Sequence, residues 1–273
     1  MNLHVGISPC PNDTFQFEAL YTKQIDTNNY HLNFHFQDVE TLNNKADDLY
    51  YDVLKISYAR YFSVQNKYIL LRSGSALGFG VGPLLITKQA ENYETIMAGK
   101  IALPGRETTA HFLFNRAYPN HPNKVFMRFD TIEQAVLSGD VLAGVIIHEN
   151  RFTYHQRGLH KIVDLGAHWE NQTGLPIPLG GIAVRRSLPL ELQMQWQRWM
   201  AQSVELAFLH ANKGLSPFVK SHAQEMAPEV MKQHIDLYVN EESKQISEKG
   251  MQAIRAMGQF LGATETNPWW VPA

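Results

Sequence analysis

A histidine directly after an apolar run is the first residue of this sequence that could do chemistry. His148 follows the segment AGVII at 143–147, whose apolar side chains are typical of a buried strand. At the carboxyl end of such a strand, a histidine can take up a proton near neutral pH and act as a general base. The same spacing fits a core histidine bonded to the backbone. Both interpretations stay open, as does the choice of Glu149 or a backbone carbonyl as the group that orients the ring.

Two further positions could hold an anion. Lys55 lies in the strand-like run VLKIS, where a cation among apolar neighbours needs a charged partner or a route to solvent. Thr108 and Thr109 follow a Pro-Gly turn at the predicted start of a helix, whose N–H groups and dipole favour an anion. Each position has an ordinary alternative, because a lysine stem can snorkel to the surface and a threonine can simply cap its helix.

The segment SPCPNDTF at 8–15 connects a predicted strand to a predicted helix through a double-proline turn. Its prolines fix φ near −65°, and Asn12 and Asp13 are good N-cap residues. Because open α/β sheets bind ligands beyond the carboxyl ends of their strands, the turn is either a wall of a ligand site or a plain connection. Cys10 could be a nucleophile beside His148, although a small residue packing in a tight turn is the simpler interpretation.

These candidates lie in a chain where strand-like and helix-like segments alternate. Strands are predicted at 3–7, 30–36, 53–56, 84–87, 101–103, 143–147 and 182–184, and the chain from about residue 189 is predicted to be helical. The Gly/Pro-rich segments 74–82 and 174–181 predict two crossings between lobes. Residues 1–88 and 184–273 would form a larger discontinuous α/β lobe, and residues 89–183 a smaller one. This is the organisation of an α/β, two-lobed type 2 periplasmic-binding-protein-like fold with a ligand cleft between the lobes.

Composition excludes several classes of function. The 273 residues are 44% hydrophobic and 18% charged, enough for a large core, and a net charge of −2 gives no reason to expect nucleic acid or an anionic membrane as partner. The single cysteine cannot form an internal disulfide. We expect a cytoplasmic protein, because neither a signal peptide nor an apolar run of about 18 residues is present. His31 and His35 lack a nearby third ligand, so no metal site is predicted.

Several motifs resemble, in order, those of the 1,4-dihydroxy-6-naphthoate synthase family (MqnD), enzymes of the futalosine route to menaquinone. They are SPCPNDTF, DVETLN, LRSGSALGFGVGPL, PGRETTAHF, GVIIHENRFTY, VDLGAHWE and TGLPIPLGGI. The resemblance extends over nearly the whole chain to about residue 185 and is weak in the C-terminal helices. It implies a lyase that converts cyclic dehypoxanthine futalosine to 1,4-dihydroxy-6-naphthoate, in two lobes that close over this small-molecule substrate, with neither a metal nor an organic cofactor.

The resemblance also assigns roles to residues. The general base falls on His148, and the substrate contacts fall on Lys55, Ile56 and Ser57 and on Thr108, Thr109 and Ala110. Where some relatives have Thr before the lysine, this chain has Leu54. With the family's help, the double-proline turn becomes a wall of the cleft, in which Ser8 and the N–H groups from Asn12 to Thr14 are available to substrate oxygens. The alternative is a solute-binding protein or ligand sensor of the same fold, against which the lack of a signal peptide counts.

Overall fold

The computed structural model describes residues 1–88, 93–223 and 227–272. The strands are β1 (Asn2–Ile7), β2 (His31–Phe36), β3 (Val53–Ser57), β4 (Tyr68–Leu70), β5 (Ala76–Gly78), β6 (Leu84–Thr87), β7 (Ile101–Leu103), β8 (Lys124–Phe126), β9 (Ala143–Ile146), β10 (His160–Asp164) and β11 (Ile177–Arg185). The helices are α1 (Pro11–Tyr21), α2 (Val39–Lys45), α3 (Tyr58–Val64), α4 (Tyr93–Ala98), α5 (Thr109–Ala117), α6 (Ile132–Ser138), α7 (Asn150–Thr153), α8 (Leu165–Thr173), α9 (Leu190–His210), α10 (Pro217–His222), α11 (Pro228–Tyr238), α12 (Glu241–Lys244) and α13 (Glu248–Phe260).

The chain divides into two compact units, Met1–Gly78 with Pro178–Ala273 (unit 1) and Phe79–Ile177 (unit 2). Both boundaries fall inside the Gly/Pro-rich segments that predict the crossings, but earlier than the predicted 88/89 and 183/184. Residue 89 itself lies outside the described part of the chain. Strand β6 belongs to unit 2 because it pairs antiparallel with β9 and β10. An apolar run identifies a strand but not the sheet that the strand joins. The pattern at 84–87 therefore does not show to which of the two units the strand belongs.

Unit 1 is built on a mixed sheet of order β2-β1-β3-β11-β4, with β5 paired to β11. Strand β1 is parallel to β2 and β3, whereas β11 is antiparallel to β3 and β4. Alternate residues of β1, Leu3, Val5 and Ile7, face one buried cluster together with Trp196 and Trp199 of α9. The parallel pairing of β1 with β3 places their carboxyl ends side by side.

The C-terminal helices of unit 1 agree with the predicted helical periodicity. The segments predicted as helices from residue 189 onward contain α9, α11 and α13. Helix α9 has 21 residues, and its apolar face packs in the core while charged residues such as Arg198 face away from it. In the described ranges, no helix is both long and apolar enough to cross a membrane.

Unit 2 has its own five-stranded sheet, of order β10-β6-β9-β7-β8. Strand β7 is parallel to β8 and β9, and β6 is antiparallel to β9 and β10. Helix α6 covers the sheet with Ile132 and Val136, which pack against Ile86, Ala102 and Ile146. The parallel pair β7 and β9 ends next to the two segments that carry the predicted site residues of this unit, the start of α5 and the turn at His148.

Candidate functional site

In unit 1, Lys55 forms a buried ion pair with Asp13. The Lys55 Nζ donates to Asp13 Oδ1 at 2.7 Å, and the side chains are 7% and 2% exposed. Lys55 lies on β3 and Asp13 in the first turn of α1, which follows β1. Because β1 and β3 are parallel neighbours, the turn after β1 reaches the lysine. The snorkelling interpretation of Lys55 is therefore wrong, and the chain itself supplies a partner for the buried cation.

The Asp13 carboxylate accepts two more hydrogen bonds from its own turn. Ser8 Oγ donates to Oδ2 at 2.7 Å, and Asn12 Nδ2 donates to Oδ1 at 2.9 Å. Both donors are buried, at 3% and 6% exposure. Ser8 and Asn12, predicted as substrate contacts, are thus committed to holding Asp13, a residue that the sequence offers only as a possible helix cap.

The backbone of the turn corrects one expectation. The N–H groups of Asp13 and Thr14 donate to the Cys10 carbonyl at 3.1 and 3.0 Å, so the helix uses the donors that we expected to face substrate. Thr14 is fully buried, and its Oγ1 donates to the carbonyls of Cys10 and Pro11. The N-cap is Cys10 rather than Asn12 or Asp13, and Pro11 takes a position in the first turn that needs no N–H.

The carboxyl end of β3 is tied to α2 through a reciprocal amide contact. Asn43 Oδ1 accepts from the Ser57 backbone N–H and Asn43 Nδ2 donates to Ser57 Oγ, both at 2.9 Å. Ile56 is fully buried, so its side chain belongs to the core. Asn43 lies in the DVETLN motif but was not predicted as a site residue, because an asparagine inside a short helix gives no chemical signal by itself.

Gly180 makes room for the lysine. It pairs with Ser57 across β11 and β3, and a Cβ there would lie 2.9 Å from the Ile56 carbonyl oxygen and 3.3 Å from Lys55 Cε. We expect Gly180→Ala to lower the free energy of unfolding by about 1–3 kcal/mol, because a close backbone contact cannot yield without moving a central strand. Urea denaturation of the two proteins measures this, and equal midpoints would show that the strand accommodates the methyl group.

In unit 2, Thr108 is the N-cap of α5. The sequence offers a helix cap and an anion-binding position as the two interpretations of this residue, and the structure shows the cap. Its Oγ1 accepts from the His111 N–H at 3.2 Å and donates to the Gly105 carbonyl at 2.9 Å. Thr109 and Ala110 occupy the first two helical positions, and all three residues are buried at 3–4% exposure. The cap and an anion site are compatible, because a helix N-terminus has several N–H groups and the cap uses that of His111.

A chain of hydrogen bonds fixes the loop before α5. Lys124 Nζ donates to Asn115 Oδ1 at 2.5 Å, which leaves Asn115 Nδ2 to donate to His111 Nε2 at 2.9 Å. With Nε2 accepting, His111 Nδ1 carries the proton and donates to the Arg106 carbonyl at 2.8 Å. His111 and Asn115 were not predicted. Their four-residue spacing on one helix face is the signal that could have suggested the contact.

This arrangement predicts a pH dependence of stability. Burial lowers the pKa of His111, and the positive charges of Lys124 and Arg106 lower it further. Because the pKa of His111 in the folded state lies below its unfolded value of about 6.5, protonation of His111 opposes folding. The contribution of neutral His111 to the free energy of unfolding is therefore fully present above pH 6.5 and is lost as the pH falls below it. The free energy of unfolding of wild type should fall between pH 7 and 5 more steeply than that of His111→Gln. Parallel urea titrations test this, and identical pH slopes would contradict it.

His148 lies two residues beyond the end of β9, in a turn before α7. Its φ is +59°, the left-handed region that non-glycine residues seldom occupy. Such backbone strain costs on the order of 1–3 kcal/mol and is found preferentially at functional sites. The imidazole is half-buried and packs edge-on against Phe129, with ring centroids 4.7 Å apart. Phe129 therefore restricts the ring from one side by an apolar contact.

The fold places the protein in a structural class. The periplasmic aliphatic sulphonate-binding protein of Escherichia coli superposes with a TM-score of 0.67 at 11% identity, covering 96% of this chain and 88% of that one. The ligand-binding component of an ABC-type import system from Staphylococcus aureus gives 0.69 at 10% identity, covering 100% and 96%. These likenesses confirm the periplasmic-binding-protein-like fold predicted from the sequence.

Sequence comparison then identifies the family. The model of a family described as menaquinone biosynthesis matches residues 3–263, and the chain belongs to this family. A protein of Thermus thermophilus named 1,4-dihydroxy-6-naphtoate synthase is 42% identical over 98% of this chain and 99% of its own. One of the same name from Streptomyces coelicolor is 42% identical over 93% and 91%. An Archaeoglobus fulgidus structure superposes with a TM-score of 0.86 at 32% identity, covering 96% and 98%.

Proposed function

We propose that this member of the menaquinone biosynthesis family is a carbon–carbon lyase that converts cyclic dehypoxanthine futalosine to 1,4-dihydroxy-6-naphthoate. Two relatives named synthases of that naphthoate, each 42% identical over more than nine-tenths of both chains, support the product. The observation that carries the chemistry is the left-handed backbone of His148 at the end of β9. Strained backbone conformations cluster at active sites, which makes His148 the candidate for the chemistry.

His148 is the general base of this proposal. One of its imidazole nitrogens takes a proton from the substrate, and the electron pair of the broken bond to hydrogen stays on the substrate. Those electrons become available for breaking the carbon–carbon bond, and the proton can return to a product from the same nitrogen. Phe129 holds the ring by an apolar contact and leaves both nitrogens to hydrogen bonds. Fixing the ring before the reaction favours the transition state over other geometries.

The substrate carboxylate is assigned to charge and helix-end contacts. Lys55 donates one hydrogen bond to Asp13, and an ammonium group has three donors, so it can bind a second carboxylate. The N-terminus of α5, with Thr108, Thr109 and Ala110, offers N–H groups and a favourable dipole to the same kind of group. Ser8 and Asn12 contribute indirectly, because both hold the Asp13 carboxylate that faces Lys55. Ile56 and Ser57 adjoin the lysine on β3, and Thr14 packs in the turn that carries Asp13.

A solute-binding protein or sensor is the second candidate, and the fold likeness to import proteins is the observation that favours it. Mass spectrometry separates the two. The purified protein is incubated with cyclic dehypoxanthine futalosine, and the products are resolved by chromatography. Release of 1,4-dihydroxy-6-naphthoate in amounts exceeding the protein supports the lyase. Recovery of bound but intact ligand would overturn the lyase and favour the binding protein.

A further inference from the structure

A histidine from the C-terminal helices reaches the double-proline turn. His234 lies on α11 and is fully buried, and its Nε2 is 2.8 Å from Asn12 Oδ1, a residue 222 positions earlier in the chain. Asn12 in turn donates from Nδ2 to Asp13 Oδ1 at 2.9 Å. Asp13 Oδ1 also accepts from Lys55 at 2.7 Å. The imidazole is therefore connected to the lysine through two intervening side chains.

The donors in this chain have one consistent direction. Asp13 is an acceptor, so the Asn12 amide must turn its Nδ2 toward the carboxylate and its Oδ1 toward His234. Oδ1 can only accept, which makes His234 Nε2 the donor. Turning the amide over would place Oδ1 against the carboxylate oxygen and set two acceptors face to face. A His234 Nε2–H donor thus stabilises the same orientation of Asn12 that Asp13 requires.

Burial makes this selection matter. His234, Asn12, Asp13 and Lys55 are all at most 6% exposed. Water cannot easily replace a lost donor in such a network, and a partly satisfied buried network costs more than an apolar one. Loss of the His234 donor would release the Asn12 amide, and with it one of the bonds that fix the carboxylate facing Lys55.

We propose that His234 is a positioning residue, which sets the direction of the Lys55 ammonium through Asn12 and Asp13. The inference rests on the proposed function, because Lys55 is there the contact for the substrate carboxylate. It assigns to α11, a helix for which the sequence predicts no site residue, a role in substrate binding rather than in packing alone. His234 touches neither the substrate nor the reacting atoms in this proposal.

Two substitutions separate the donor from the packing. His234→Gln places an amide N–H close to where Nε2–H lies, whereas His234→Leu fills similar space without a donor. We expect His234→Leu to raise KM about ten-fold, the effect of about one hydrogen bond, with a smaller change in kcat. His234→Gln should retain most of the wild-type KM. Ile235→Ala is the matched control. The Ile235 side chain is buried on the same helix but packs in a separate apolar cluster. Its removal should therefore lower the stability of the protein without changing KM.

A double-mutant cycle tests the route. If His234 acts through Asn12, His234→Leu should raise KM in wild type but add nothing in an Asn12→Ala background. Equal effects in the two backgrounds would overturn the proposal and leave His234 a packing residue. So would a KM for His234→Gln as high as that for His234→Leu.

A readout without turnover keeps this inference distinct from the proposed function. If wild type does not cleave the substrate, the lyase assignment fails. Hydrogen exchange of the Asn12 side-chain amide still reports the hydrogen bond between His234 and Asn12 in that case. The NMR signal of this amide is assigned by its absence in Asn12→Ala. NMR should show slow exchange in wild type and His234→Gln and markedly faster exchange in His234→Leu. Equal exchange rates in wild type and His234→Leu would overturn the positioning role whatever the enzyme does.

Discussion

His148→Asn is expected to bind cyclic dehypoxanthine futalosine but to turn it over about 10²- to 10⁴-fold more slowly than wild type, the usual contribution of a positioned base. Asparagine keeps a polar group of moderate size but cannot take up a proton. It is also one of the few residues that tolerate a left-handed backbone, so the turn at φ +59° should survive the substitution. The change therefore removes the proton acceptor with little disturbance of the local fold.

Single-turnover release of the naphthoate, followed by chromatography and mass spectrometry, measures the effect. Calorimetry with the product shows whether binding is retained. His160→Asn is the matched control, because it makes the same change at an exposed histidine of β10 and should turn over at the wild-type rate. A base must be unprotonated to act, so wild-type kcat should also fall in acid, and this limb should vanish in His148→Asn. Near-normal turnover by His148→Asn would remove the base assignment.

The sequence predicts elements better than it predicts partners. Apolar alternation and periodicity located the strands at 3–7, 53–56 and 101–103 and the helices after residue 189, because burial imposes its period on the residues of each element. Thr108 was recognised as a possible cap because the Pro-Gly turn and the helical pattern that follows it are local. Such signals need only a few neighbouring residues.

The hydrogen-bond partners of the site residues could not be predicted from the sequence. Lys55 and Asp13 are 42 positions apart, and His234 and Asn12 are 222 apart, so only the pairing of β1 with β3 and the docking of α11 bring them together. The sequence indicates only that the lysine needs a partner or a route to solvent, and a ligand carboxylate is one such partner. The N–H groups of Asp13 and Thr14 were assigned to substrate because the start of α1 at Pro11 could not be located to within a residue.

The strain at His148 also lies beyond what a sequence reveals. The residues around a histidine do not predict a positive φ. The segment His-Glu-Asn at 148–150, after an apolar strand, is compatible with several kinds of turn. The family motif pointed to the residue, and the backbone conformation gives an independent physical reason to consider it. The two kinds of argument agree on His148 but come from different properties of the molecule.

Lys55→Ala is expected to have two separable effects. The substitution leaves the Asp13 carboxylate buried, with Ser8 and Asn12 as donors but without its cation, and breaking a buried ion pair in this way costs about 3–5 kcal/mol of folding free energy. It should also weaken binding of the product naphthoate by about 1.5–3 kcal/mol, the contribution of a charge-assisted hydrogen bond. Urea denaturation measures the first effect and calorimetry the second.

Adding Asp13→Asn to Lys55→Ala distinguishes a structural lysine from a substrate contact. The amide removes the uncompensated buried charge, so the double variant should recover part of the lost stability. It cannot restore a cation for the substrate carboxylate, so product affinity should stay low. If the affinity instead returned to the wild-type value together with the stability, Lys55 would serve the ion pair with Asp13 alone, and the carboxylate would have to be held by the N-terminus of α5. Low affinity in a protein of recovered stability is the result that assigns Lys55 to the ligand.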